Sequence, residues 1–149
     1  MSQQDWYDEG LRFTCTQCGN CCSGPPGYVW FTMQEGQAMA EHVGLTYEQF
    51  LDQHAHVLGQ AWSLKDHLTE HGYDCTFLVR DENGQGRCSI YEVRPLQCRT
   101  WPFWPDNLRN KTTWRQASVR CPGMKAGMVG TGKLYPVEQI RIIRDSMLP

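Results

Sequence analysis

The chain has 149 residues, of which 40% are hydrophobic and 20% charged, and its formal net charge is −2. This length and composition predict one globular domain and exclude the disordered and fibrous classes. No apolar run approaches the roughly 18 residues that a membrane span needs, and the first residues lack the basic and apolar pattern of a leader. We therefore expect a cytoplasmic protein with neither a membrane span nor a secretory signal.

The first part of the chain is predicted to be irregular. Residues 1–12 are polar and aperiodic, which is typical of a loosely held lead-in, and residues 13–149 form the expected domain. Residues 13–27 hold four cysteines together with several glycines and prolines, so we expect a loop whose shape a metal organises. Residues 28–31 are aromatic and β-branched and favour a short strand.

Two helices are predicted to follow this strand. The capping box Thr32-Met-Gln-Glu35 starts a helix that runs to Val43. A second capping box, Thr46-Tyr-Glu-Gln49, starts a helix that is expected to end at about Val57. Both predictions use the same kind of start signal, and Gly44 is expected to stop the first helix.

The dipeptide Asn83-Gly84 predicts a β-hairpin between a strand that begins at Cys75 and a strand that carries Cys88. With these two residues as the turn, Val79 lies opposite Cys88. Cys75 and Cys88 then share one face but lie about 13 Å apart along the ladder, too far to bind one mononuclear ion. We therefore expect them to belong to different neighbourhoods.

The last part of the chain is predicted to be mainly helical. Pro95 opens a short helix that carries Cys98, residues 111–120 are ambiguous between strand and helix, and Pro136 opens a last amphipathic helix. The elements together predict a small single α+β domain with a β-hairpin, three to four short helices and a cysteine-rich N-terminal loop.

Eight cysteines dominate the chemistry of the sequence. In a reducing compartment an even number of thiols indicates a metal site more often than a disulfide framework. Cys15, Cys18 and Cys21 follow one another at CxxC spacing, which lets their sulfurs share one metal centre. The same spacing begins the bacterial ferredoxin motif, whose last cysteine precedes a proline as Cys121 does. Zinc sites and an iron–sulfur cluster both stay open.

Cys22 directly follows Cys21, and neighbouring side chains on an extended backbone point in opposite directions. The two thiols are therefore free to serve two centres or to straddle one polynuclear cluster. Cys75, Cys88 and Cys98 are either further ligands or small buried residues of the core. Disulfides and a CxxC redox pair are the remaining alternatives.

Basic residues near the cysteines are candidates for a supporting role. Arg94 and Arg99 flank Cys98, where a fixed cation would offset thiolate charge, although a carboxylate partner such as Glu92 is the structural alternative. His54 and His56 have no compact ligand spacing to a cysteine and are expected to be exposed near a helix end.

Residues 107–137 contain six basic side chains and no acidic one. This basic segment either compensates nearby thiolate charge or docks a redox or acidic partner. We do not expect nucleic acid or a membrane as its partner.

Four motifs occur in a familiar order. They are CxxCxxCC at Cys15–Cys22, Cys75-Thr-Phe-Leu, Cys88-Ser-Ile-Tyr91 and Arg94-Pro-Leu-Gln-Cys98-Arg-Thr-Trp-Pro102. Together they resemble the CxxCxxCC cysteine-cluster family, of YkgJ type, over about Phe13 to Pro122. That resemblance implies a zinc- or iron-chelating domain with Cys15, Cys18, Cys21 and Cys22 as ligands and Cys75, Cys88 and Cys98 contributing. It supplies no substrate.

Three functions are consistent with these features. The leading hypothesis is an iron–sulfur protein that serves electron transfer or metal-dependent maturation, with an oxidoreductase activity left open. The second is a zinc-stabilised binding module whose basic segment meets an acidic partner. The third is metal storage or delivery. The candidate ligands in each case are Cys15, Cys18, Cys21, Cys22, Cys75, Cys88, Cys98 and Cys121.

Overall fold

The structure is a computed structural model and describes residues 4–24 and 27–147. Within these residues it contains seven α-helices, nine short strands and two 3₁₀ turns. In chain order they are β1 Leu11–Arg12, a 3₁₀ turn Asn20–Cys22, β2 Trp30–Phe31, α1 Met33–His42, α2 Tyr47–His54, β3 Ala55–Leu58, β4 Ala61–Leu64, β5 Asp66–Thr69, β6 Gly72–Cys75, β7 Leu78–Arg80, β8 Gly86–Cys88, a 3₁₀ turn Tyr91–Val93, α3 Leu96–Arg99, α4 Pro105–Leu108, α5 Lys111–Ser118, α6 Pro122–Met128, β9 Leu134–Tyr135 and α7 Val137–Ser146. The predicted α+β class is confirmed, with more helices than expected.

The chain divides into two compact units. The central unit is Gly19–Arg99, and the terminal unit combines the two ends of the chain, up to Cys18 and from Thr100 onward. No helix in the described ranges combines the length and the apolar character of a membrane span.

Helices α1 and α2 of the central unit begin where their capping boxes predict. The Thr32 hydroxyl accepts the Glu35 N–H at 3.1 Å, and the Glu35 carboxylate accepts the Thr32 N–H at 2.9 Å. Thr46 and its partner three residues later repeat this exchange. Helix α2 ends at His54, earlier than predicted, because the next four residues pair with β4 as strand β3.

Three small antiparallel sheets complete the central unit. One has the strand order β2-β4-β3, and the others are the hairpins β5-β6 and β7-β8. The predicted register of the last hairpin is wrong: Leu78, not Val79, lies opposite Cys88. The cause is Asp81, whose carboxylate accepts the N–H groups of Asn83 and Gln85 at 2.9 Å and closes a longer turn than Asn-Gly alone would.

The core of the central unit lies between helices α1 and α2 and the strands. Its buried residues are Phe31, Met39, Ala40, Phe50, Ala55, Leu64, Phe77 and Ile90. Cys75 and Cys88 pack against this core from one side. The cysteines of these strands are therefore held by apolar packing as well as by strand pairing.

The terminal unit is held together by residues from both chain ends. Strand β1 pairs with β9, and the buried residues are Tyr7, Phe13, Phe103, Leu108, Trp114, Met124 and Ile140. Helix α5 occupies Lys111–Ser118 of the segment that was ambiguous, and the last helix begins at Val137 with Pro136 as its N-cap, next to the predicted start.

The expectation of a loosely held lead-in does not describe residues 4–12. The Tyr7 side chain is only 3% exposed, and the Trp6 indole N–H donates to the Leu108 carbonyl at 2.7 Å. The segment is polar in composition, yet its two aromatic residues supply enough apolar surface to join the core.

Candidate metal centre

Five thiols of the central unit interact with one another and form what we call the thiol cluster: Cys21, Cys22, Cys75, Cys88 and Cys98. The Cys22 thiol is hydrogen-bonded to the thiols of Cys21 and Cys88. Cys75 interacts electrostatically with Cys21 and Cys88, and Cys98 interacts with all three of these thiols. All eight cysteines of the chain are described, and each is a free thiol. Residues from four separated segments of the sequence therefore converge.

The backbone around Cys21 and Cys22 is not extended. The two residues lie in the 3₁₀ turn Asn20–Cys22, which follows Gly19 in the left-handed conformation at φ 77°. The turn directs both thiols toward the same cluster, so the opposite directions that we expected from an extended backbone do not arise. The left-handed backbone favours a glycine before the turn, and a Cβ on Gly19 would also lie 2.7 Å from a methyl carbon of Leu78 and 3.0 Å from the Gly86 carbonyl carbon.

A direct consequence concerns Gly19→Ala, for which Gly44→Ala is the matched control. Both glycines have φ near +76°, but a Cβ on Gly44 would meet nothing within 4 Å. Each substitution is expected to cost about 1–2 kcal/mol for the left-handed backbone. Gly19→Ala should lose more, since it also displaces the Leu78 side chain. Urea unfolding of both variants measures the difference, and an equal loss would contradict the close approach at Gly19.

Three cysteines share one local backbone arrangement. The Cys15 sulfur accepts the N–H of Gln17 at 3.3 Å, the Cys75 sulfur accepts that of Phe77, and the Cys88 sulfur accepts that of Ile90. In each case the donor lies two residues after the cysteine, and the residue between them is threonine or serine. Such N–H groups stabilise a thiolate. The Cys-(Ser/Thr)-X pattern also occurs at Cys22, where the Gly24 N–H donates to the Tyr73 carbonyl instead, so the pattern alone does not predict this arrangement.

Cys75 and Cys88 lie in one neighbourhood, and the prediction that they belong to different ones is wrong. The predicted strand from Cys75 is interrupted: Cys75 ends β6 and pairs with Asp66, whereas β7 begins only at Leu78. The two thiols interact electrostatically as members of the cluster. The error follows from treating the interrupted segment as one straight ladder.

Cys98 is positioned by its sequence neighbours. The Glu35 carboxylate accepts the Leu96 N–H at 2.6 Å. The Gln97 amide accepts the Trp30 N–H at 3.1 Å and donates to the Tyr28 carbonyl at 2.8 Å, and so pairs with the strand edge as a neighbouring strand would. Helix α3, which carries Cys98, is therefore tied to both α1 and the start of β2.

Arg94 and Arg99 have different surroundings. The Arg94 guanidinium lies 3.8 Å from the centre of the Tyr91 ring and donates to the Tyr91 and Cys98 carbonyls. Its charge favours the thiolate forms of three cluster cysteines, Cys21, Cys88 and Cys98. Arg99 lies 3.5 Å from the Glu35 carboxylate, so its ion pair is with Glu35 rather than with the alternative partner Glu92.

The thiols of the cluster differ in acidity. Its hydrogen bond with Cys22 lowers the pKa of Cys88 to about 7, and the hydrogen bond between Cys21 and Cys22 lowers the pKa of Cys21. The same hydrogen bonds raise the pKa of Cys22. Burial raises the pKa of Cys75 to about 11 and raises the pKa of Cys98. Thiolate is therefore most favoured at Cys21 and Cys88.

The remaining cysteines, Cys15, Cys18 and Cys121, belong to the terminal unit. Cys15 and Cys121 are half-buried and pack against its core. Helix α6, which follows Cys121, lies so close to the chain before Cys15 that a Cβ on Gly123 would overlap the Thr14 carbonyl. This approach brings the backbones that carry Cys15 and Cys121 to one side of the terminal unit.

The donor set suits zinc or iron. Thiolates are the ligands of structural zinc and of iron–sulfur clusters, and fixed N–H groups and a cation beside them stabilise the bound state. Among residues 4–24 and 27–147, no three His, Cys, Asp or Glu side chains are already arranged around one metal position.

The histidines are less exposed than predicted. His54 Nδ1 is hydrogen-bonded to the Thr76 hydroxyl at 2.7 Å, and burial lowers the pKa of His54. The Nε2 atom of His56 is buried without a hydrogen-bond partner. Strand β3 explains the difference, because it begins where a continuing helix was expected to leave both rings in solvent.

Lys111 and Arg115 of the basic segment lie on helix α5 and Lys125 lies on helix α6. Arg109 precedes α5, Arg120 lies between the two helices, and Lys133 follows α6. All six basic side chains of the segment are exposed. Arg109 pairs with Asp106 at 3.0 Å, and Lys133 lies 4.8 Å from the centre of the Tyr135 ring.

Comparison with known proteins identifies the class to which these features belong. A family model named CxxCxxCC, with the description "Putative zinc- or iron-chelating domain", matches residues 14–122. The match covers more than half of the chain and includes all eight cysteines. The chain therefore belongs to this family of zinc- or iron-chelating domains, and the resemblance in the four motifs is confirmed.

The name of an individual relative indicates no activity. A protein of Methanocaldococcus jannaschii, named only as uncharacterized, is 30% identical over 100 residues, which are 66% of this chain and 49% of the relative. The chain thus spans about half the length of this curated relative. No solved structure matches the chain.

Proposed function

We propose that the thiol cluster binds iron as an iron–sulfur cluster and that the chain serves electron transfer or metal-dependent maturation. One observation carries the proposal: five thiols from four chain segments interact with one another, and the guanidinium of Arg94 interacts with three of them. A single tetrahedral zinc ion takes four ligands, whereas a polynuclear cluster offers more than one metal position to the adjacent Cys21 and Cys22.

The surroundings of the cluster support this choice. Iron–sulfur reduction potentials depend on net charge and on hydrogen bonds to sulfur. The N–H groups of Phe77 and Ile90 donate to two of the thiols, and Arg94 adds a positive charge. These groups would stabilise the additional electron of a reduced cluster.

The metal and sulfide content of protein purified without air tests the proposal. We expect iron and acid-labile sulfide in similar amounts, with broad visible absorption that bleaches on reduction. A colourless protein that contains zinc and no sulfide would contradict the iron–sulfur assignment and support the zinc alternative.

A zinc-stabilised binding module is the second candidate, and the division of charge favours it. The terminal unit holds nine basic and six acidic residues, a net charge of +3, whereas the central unit holds five and ten, a net charge of −5. An acidic redox or regulatory protein is the partner that such a basic surface would attract. The interaction would weaken as the salt concentration rises.

A metal storage or delivery protein would differ from the other two candidates in how fast it releases its metal. A delivery protein would give up its metal to a chelator within the time of an assay and keep its fold. A resident cluster would leave slowly, and its loss would unfold the thiol-bearing segments.

A further inference from the structure

A partly buried hydrogen-bond network joins the segments that carry two of the cluster cysteines. Asp74 is 2% exposed, and its carboxylate accepts two bonds from the Arg80 guanidinium, at 2.7 and 2.9 Å. The Ser23 hydroxyl donates to the same carboxylate at 2.6 Å. Arg80 also donates to the Ser23 oxygen and to the Gly84 carbonyl. We call these three side chains the Asp74 network.

The position of the network in the sequence connects it to the metal centre. Ser23 directly follows Cys22, and Asp74 directly precedes Cys75. The backbone reinforces the connection, since Gly24 and Tyr73 exchange two hydrogen bonds, at 3.1 and 2.7 Å. The chain that follows Cys22 therefore pairs with strand β6 at Tyr73, just before Cys75.

The carboxylate of Asp74 is occupied by the donors of Arg80 and Ser23, so its role is to hold these side chains rather than to bind metal. Two parallel bonds from a planar guanidinium fix both distance and direction. A buried ion pair contributes little net stability compared with an apolar pair of the same shape. The Asp74–Arg80 ion pair instead fixes the geometry of the residues beside Cys22 and Cys75.

We propose that Ser23, Asp74 and Arg80 are positioning residues that set the separation of the Cys22 and Cys75 sulfurs for metal binding. This inference rests on the proposed function of the thiol cluster. Partners that orient metal ligands typically contribute 10–100-fold in metal affinity. The network should act mainly on the dissociation rate, because it holds the ligands in place after the metal has bound.

The experiment measures how fast full-length, metal-loaded protein transfers its metal to an excess of a chromogenic chelator. The variants are Ser23→Ala, which removes one hydroxyl and leaves the Asp74–Arg80 pair intact, and Asp74→Asn. Ser63→Ala is the matched control: Ser63 is fully buried in the same unit and accepts the Val29 N–H at 2.9 Å, but it adjoins no cysteine. Thermal unfolding of each variant is recorded in parallel.

We expect metal transfer to be about 10-fold faster in Ser23→Ala and up to about 100-fold faster in Asp74→Asn. Ser63→Ala should lower the unfolding temperature without changing the transfer rate. Wild-type transfer rates in loaded Ser23→Ala and Asp74→Asn would overturn this inference and leave the proposed function standing. An equal acceleration in Ser63→Ala would do the same. A wild-type protein that takes up no metal would overturn the proposed function as well. If Asp74→Asn does not fold, the comparison of Ser23→Ala with Ser63→Ala decides.

Discussion

Replacing Cys22 by serine is expected to release the metal and to unfold the segments around the thiol cluster. Cys22 is the thiol that hydrogen-bonds to both Cys21 and Cys88, so it lies at the centre of the group. The binding free energy of a structural metal held by cysteines is on the order of 10 kcal/mol, comparable to the whole stability of a domain. Metal content and circular dichroism of the purified variant measure both effects.

Ala40→Ser is the control for this substitution. Ala40 is 2% exposed in the same unit, so the variant buries a hydroxyl without removing a sulfur. It should lose roughly 1–3 kcal/mol of unfolding free energy and keep its metal. A Cys22→Ser protein with full metal content and an unchanged unfolding temperature would show that Cys22 is not a ligand.

Phe50→Ala should cost about 3–5 kcal/mol of unfolding free energy, the largest effect expected from a residue without a sulfur. The Phe50 ring is completely buried, stacks on Phe77 at 6.0 Å and meets Phe31 edge-on at 5.5 Å. Phe77 donates its N–H to Cys75 and accepts the Ser89 N–H, so the cavity would also loosen the cluster.

Urea unfolding of metal-loaded Phe50→Ala and Leu68→Ala compares the loss of a buried side chain with the loss of an exposed one. Leu68 is 70% exposed in the same unit, and its loss should change the unfolding free energy by less than about 0.5 kcal/mol. Equal effects of the two substitutions would contradict the core described for the central unit.

The elements that could be predicted from the sequence are those with a local cause. The capping boxes at Thr32 and Thr46 start helices because each completes its hydrogen bonds within four residues. Pro136 precedes the last helix for a similarly local reason. Membership of the family of zinc- or iron-chelating domains could also be predicted, because four motifs in order identify the family without any knowledge of the fold.

The elements that were predicted wrongly depend on contacts outside the motif from which each was predicted. The register at Cys88 was shifted by the side chain of Asp81, which closes a longer loop. Helix α2 is shortened by a strand partner that lies beyond it in the sequence. Burial of Tyr7 depends on the other end of the chain.

The candidate site shows the same limit. The spacing of Cys15, Cys18 and Cys21 is visible in the sequence, but the meeting of Cys75 with Cys88 follows from an interrupted strand. The Asp74 network was also invisible, because Ser23 and Arg80 are 57 residues apart. Neither residue belongs to a recognised ligand motif.

The pattern of thiol protection tests the central claim most directly. Native protein purified without air and the same protein stripped of metal are each treated with an alkylating reagent, and the modified cysteines are identified by mass spectrometry. The structure predicts that Cys22, Cys75, Cys88 and Cys98 are protected in the native protein and react together once the metal is removed. Equal reaction of these four thiols before and after stripping would contradict a metal centre built on the cluster.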